Sequence, residues 1–130
     1  MPSLQNLIDQ VDQLTQEIVE LEQALVRIPS VNTGYMPTGN ETKVAKFIKN
    51  WLENEGLDSQ ILARDSKRGN IVSVYPGKNQ HTKLMLMSHT DVVPVENQEK
   101  WVHEPFGAEI ESGRIYGRGA SDCKALLTSQ

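Results

Sequence analysis

His89, Asp91 and Asp122 are the residues of this 130-residue chain whose types and spacing could do chemistry. An apolar run, Leu84-Met85-Leu86-Met87, stops abruptly in Ser88-His89-Thr90-Asp91. A strand that ends in an imidazole and a carboxylate carries polar groups to the edge of a core, which is where open α/β sheets place their chemistry. Alternate residues of an extended segment share a face, so His89 and Asp91 project one way and Thr90 the other. A histidine that ligates a metal needs an acceptor on its second ring nitrogen, and Asp91 stands where it could supply one. Asp122 follows 33 residues after His89, behind a Gly117-Arg118-Gly119 turn whose small residues let backbone approach closely.

Each piece has a plain alternative. His-x-Asp is common away from metals, and Asp122 at the start of a helix predicted over 121–130 could serve as its N-cap. Gly117 and Gly119 are turn formers first. Cys123, the one cysteine, reads as a small buried helix residue rather than a ligand. The combination of strand-end His-x-Asp, intervening loop and Gly-Arg-Gly-x-x-Asp turn is more specific than any part.

These residues carry a resemblance. Ser88-His89-Thr90-Asp91-Val92-Val93-Pro94, Trp101, Pro105-Phe106, Gly113, Ile115-Tyr116-Gly117-Arg118-Gly119-Ala120 and Asp122-Cys123-Lys124 resemble the co-catalytic zinc aminoacylase and deacetylase family. Its members include acetylornithine deacetylase, succinyl-diaminopimelate desuccinylase, aminoacylase and carboxypeptidase G. The likeness reaches back to Leu25-Val26-Arg27-Ile28-Pro29-Ser30-Val31, which looks like the end of the family's N-terminal helix.

The resemblance implies roles position by position. His89 would be a terminal ligand to one zinc, Asp122 the carboxylate bridging two, and Asp91 the catalytic residue that orients His89. Two Zn²⁺ ions would complete a site, with Co²⁺ able to substitute, and imidazole and carboxylate suit both. Such a pair polarises an amide carbonyl and activates water. The implied substrate is a small-molecule N-acyl amino acid or peptide, with acetylornithine-type deacetylation foremost, and the implied full-length assembly is a homodimer. The family's general base and remaining ligands lie well downstream of the aspartate, so residues 1–130 are expected to be the N-terminal part of a catalytic domain. The rest of that domain and a second domain would lie beyond Gln130. Ala125 stands where the family often has glycine.

The elements that must position these residues follow from periodicity. Leu4, Leu7, Val11, Leu14, Ile18, Leu21, Leu25 and Ile28 alternate spacings of three and four, predicting one helix over 3–28 ended by Pro29. Ile8, Val19 and Val26 widen the stripe, which favours a helix lying on the domain over a coiled-coil seam. A loop over 31–39 leads to a second helix, capped by Asn40 and stopped by Gly56, with Val44, Phe47, Ile48, Trp51 and Leu52 on its buried face. Strands are predicted over 60–64, 70–75 and 83–88, the last as a central strand buried on both faces. Trp101 and Phe106 look like anchors for a polar loop, and 109–116 reads as a hairpin turning at Ser112-Gly113. His103 is a competing ligand candidate, in a loop with no strand to fix it.

The expected class is α/β, a mixed sheet with flanking helices, with the site-bearing region over 84–130. A net charge of −4 argues against nucleic acid as a partner. No apolar run reaches the length of a membrane span. One cysteine and no signal pattern suit a cytoplasmic protein. Two functions from different classes remain. The first is a zinc-dependent amide hydrolase; the second is an inactive fragment acting as a weak metal-binding module or pairing through the Leu4–Ile28 seam.

Overall fold

Leu25 and Val26 are both fully buried, and they face different neighbours. The end of one helix therefore serves two parts of the core. The structure, a computed structural model, describes residues 2–35, 39–78, 81 and 84–130. In it Leu25 packs with Val44 and Ile48, surrounded by Leu21, Ile28, Phe47, Leu52, Ile71 and Leu127. Val26 packs with Ala108 and Ala120, and Ile115 lies against them.

The helix expected over 3–28 is two helices, α1 (Leu4–Gln13) and α2 (Thr15–Val26). Leu14 between them has φ −87° and ψ −1°, and its N–H reaches both Gln10 O and Val11 O. Thr15 returns its hydroxyl to Asp12 O at 2.8 Å, a local bond that competes with the regular ladder and bends helices. No residue of α1 is buried, so tertiary packing does not hold it in line with α2. The reading of a helix lying along the domain thus holds for the end of α2 and not for α1.

The second helix forms as α3 (Thr42–Asn54), and Gly56 at φ +78° ends it. Asn40 does not cap it. Glu41 takes the N-cap position without a side-chain cap bond, and its buried carboxylate pairs instead with Arg68 Nε at 2.7 Å. Trp51 is half-buried rather than part of the core. β1 (Ser59–Leu62) and β2 (Asn70–Ser73) pair antiparallel, Ser59 opposite Ser73, and pack on α3. β3 (Glu109–Glu111) and β4 (Arg114–Tyr116) form the expected hairpin. Ser112 at φ +51° and Gly113 at φ +74° are both left-handed, as the tight two-residue hairpin turn requires. The chain closes with α4 (Ala125–Ser129).

Helices packed on strands bear out the α/β class, and the strands described form two separate antiparallel pairs. The central strand predicted over 83–88 is the main departure. Lys83 lies outside the described residues; Leu84, Met85, Leu86 and Met87 join no strand and are 74%, 74%, 57% and 75% exposed. A strand apolar on both faces needs a hydrogen-bonded neighbour on each side and a layer over each face. Among the described residues pairing begins only at Val92, which bridges in parallel to Val31. No helix of the described residues is long and apolar enough to cross a membrane.

Candidate metal centre

The segment bearing His89 is aligned by the chain that leaves α2. Pro29 ends helical geometry there, and Ser30-Val31-Asn32 runs beside residues 90–92. Val92 N–H donates to Ser30 O at 2.9 Å, and Asn32 N–H donates to Val92 O at 2.8 Å. Ser30, fully buried, donates its hydroxyl to Thr90 O at 2.5 Å. These bonds fix the backbone on both sides of Asp91.

The segment bearing Asp122 is packed on the end of α2. A Cβ on Gly117 would lie 2.5 Å from Val26 Cγ1, and one on Gly119, at φ +85°, would collide with Val92 Cγ1. Both positions therefore need glycine for close approach. The helix predicted over 121–130 starts only at Ala125. Asp122 (φ −122°, ψ 95°) and Cys123 (φ −136°, ψ 36°) are non-helical, and the peptide between them is cis. Asp122 therefore caps no helix, and its side chain is free to reach elsewhere. Lys124 follows, fully buried, its ammonium donating to Leu25 O at 2.8 Å and Ile28 O at 2.9 Å. Burial pulls its pKa down to about 8.

The three residues singled out by sequence come together. His89 Nε2 lies 2.9 Å from Asp122 Oδ1. On its other side, His89 Nδ1 lies 3.0 Å from Asp91 O and 3.3 Å from Asp91 Oδ1. Asp91 is steadied in turn by Asn32, whose amide donates to Asp91 Oδ2 at 2.8 Å. Acceptors at both ring nitrogens favour the imidazolium: the bond to Asp122 raises the His89 pKa most, burial opposes it, and Asp91 adds to the rise. All three line a cleft of about 590 Å³, together with Asn32, Val93 and Arg118, a size that suits small molecules.

The donor set fits a divalent metal in part. His89 Nε2 and Asp122 Oδ1 converge to 2.9 Å, and Asp91 stands at the opposite ring nitrogen, where metal-ligating histidines have an acceptor. Cys123 Sγ completes a trio of ligand-type atoms all within 4.8 Å of one another. That sulfur is engaged elsewhere. It donates to His89 O at 3.1 Å and accepts from His89 N–H at 3.3 Å, so the thiol joins the two segments rather than lining a helix.

Other expectations resolve differently. His103 stands apart from this cleft, between Glu109 Oε2 at 2.9 Å and Glu111 Oε2 at 3.3 Å, with its ring on Tyr116 at 4.1 Å. Trp101 supports the Arg118 guanidinium, 5.0 Å from the ring centre. Asn32, Ser30 and Lys124 escaped notice as supports of the site. Their partners lie 59 to 99 residues away, beyond any local periodicity. The one available signal was the Leu25–Val31 stretch, whose pattern is distinctive without being chemically reactive.

Residues 85–130 match the model of peptidase family M20/M25/M40. The chain is 34% identical over 110 residues to a succinyl-diaminopimelate desuccinylase of Ehrlichia chaffeensis, covering 84% of this chain and 27% of that protein. It is 36% identical over 112 residues to the protein of the same name from Caulobacter sp. strain K31, covering 85% and 26%. A metallohydrolase of Methanococcus maripaludis is 37% identical over 118 residues, covering 82% and 28%. The chain thus spans about a quarter of the length of the curated relatives it matches.

Proposed function

We propose that this chain, which belongs to peptidase family M20/M25/M40, supplies part of the active site of a metal-dependent amide hydrolase. The observation that carries the reading is the meeting of His89 Nε2 and Asp122 Oδ1 at 2.9 Å with Asp91 behind the ring. His89 and Asp122 would hold the metal, Asp122 between two ions, and Asp91 would keep the His89 ring oriented. A bound divalent cation would supply Lewis acidity toward an amide carbonyl and acidify a water. Zn²⁺ is the cation that imidazole and carboxylate ligands suit best.

The substrate reading is an N-acyl amino acid. The desuccinylase relatives shift preference from an acetyl to a succinyl group on a diamino acid. Two ligands shared between two ions fall short of the three protein ligands a catalytic zinc uses. The reading therefore requires further ligands beyond those the described residues place beside His89 and Asp122.

Calorimetric titration with Zn²⁺ tests it. Binding by the wild-type chain that is lost in both His89→Ala and Asp122→Ala supports the assignment. Equal binding in all three would remove it. A second reading, a binding module working through its N-terminal helix, is favoured by one observation: Leu4, Leu7, Ile8, Val11 and Leu14 are all exposed.

A further inference from the structure

We infer that Lys124 is the positioning residue that sets Asp122 opposite His89, an inference that rests on the metal-centre reading above. The Asp122 side chain is 89% exposed, and its backbone is non-helical. Neither burial nor a helical ladder fixes it. What fixes it is the anchoring of the chain before and after. Before it, Ala120 packs on Val26, and Arg118 N–H donates to Pro105 O at 2.6 Å. After it comes Lys124, whose ammonium crosses to Leu25 O and Ile28 O, residues 99 and 96 positions earlier.

Leu25 lies in the last turn of α2 and Ile28 two residues past its end; Leu25 O also accepts from Ile28 N–H at 3.1 Å, and a positive charge is favourable at a helix C-terminus. Burying an ammonium is expensive unless it is well paired, and a nearby hydroxyl could have satisfied such carbonyls at lower cost. A lysine adds reach. It fastens the Asp122 segment to the same helix end from which Ser30 departs to hold Thr90, next to His89. Both candidate ligands are thereby referenced to one rigid point: His89 through Ile28-Pro29-Ser30, and Asp122 through Lys124. Cys123, by bonding to the His89 backbone, closes the loop between the two segments.

The test is a Co²⁺ titration followed by visible absorption, on the wild-type chain and on Lys124→Met, Lys124→Gln, Ile61→Ala and His89→Ala. Lys124→Met keeps the stem and removes the donors. It is expected to retain the far-UV circular dichroism of wild type and to bind Co²⁺ about 10- to 100-fold more weakly, with altered band positions, as displaced supports of metal ligands do. Lys124→Gln, with a shorter donor, should fall between. Ile61 lies on β1, outside both core clusters and the cleft, so Ile61→Ala should lose thermal stability while keeping Co²⁺ affinity and spectrum, which separates positioning from general destabilisation. Wild-type affinity and spectrum in Lys124→Met would overturn the inference. Failure of both Lys124 variants to fold would assign the lysine to folding and overturn it as well. Binding unchanged in His89→Ala would instead strike at the metal-centre reading itself.

Discussion

Asn32 donates its side-chain amide to Asp91 Oδ2 at 2.8 Å, while Asp91 turns its other oxygen toward His89 Nδ1 at 3.3 Å. The orientation of His89 thus depends on a loop residue 57 positions earlier in the chain. Replacing Asn32 with Asp would set two carboxylates face to face. Zn²⁺ affinity, measured by competition with a chromogenic chelator, should fall about 10- to 100-fold in Asn32→Asp. An unchanged affinity would mean that the chain of bonds through Asp91 does not govern the ring.

The thiol of Cys123 makes a donor bond and an acceptor bond to the backbone of His89. Cys123→Ala should lower unfolding free energy by about 1–2 kcal/mol, the net worth of such bonds. Cys123→Ser, which keeps a donor and an acceptor, should recover part of that. Equal losses in the two variants, read from urea midpoints, would assign the effect to sulfur packing.

Gly119 combines a left-handed backbone with contact against Val92. Gly119→Ala adds overpacking to an unfavourable φ, together about 2–4 kcal/mol. Thermal denaturation checks the loss. A wild-type midpoint would show that the turn relaxes without cost.

Glu109 accepts from His103 first and from the Glu104 N–H second, and both hold its carboxyl below the ordinary 4.5. A carboxyl lowered by folding contributes stability in full above its unfolded pKa and loses it as pH falls through the folded value. Carboxyl ¹³C shifts should therefore show Glu109 titrating below the usual glutamate range. His103→Gln should move that midpoint upward, and a midpoint indifferent to His103 would assign the shift elsewhere.

Leu7 and Val11 lie exposed on α1, which buries no residue. Leu7→Gln and Val11→Gln should change unfolding free energy by no more than about 0.5 kcal/mol. A larger loss would show that another surface covers the stripe in solution.

The hairpin over 109–116 and the helix ending at Gly56 were legible because turn chemistry and apolar spacing are local, set by the φ of Gly113 and Gly56 and by the period of Val44, Phe47 and Ile48. Leu84–Met87 misled for the converse reason. An apolar run states a preference for burial, and burial as a strand depends on neighbours the run does not contain. The break at Leu14 was hidden because a stripe continuous in sequence does not compel a straight axis.

The sequence by itself determined the chemistry available: a histidine and a carboxylate two apart, a second carboxylate behind a glycine-rich turn, and a family pattern around them. Only the tertiary structure decided that Asp122 faces His89 rather than capping a helix, that Cys123 ties the two segments, and that Lys124 and Ser30 refer both to the end of α2. The physical reason is range. Residue type and spacing act over a few positions, whereas each of these contacts closes a loop of 33 to 99 residues, which packing and hydrogen bonding select only in the folded chain.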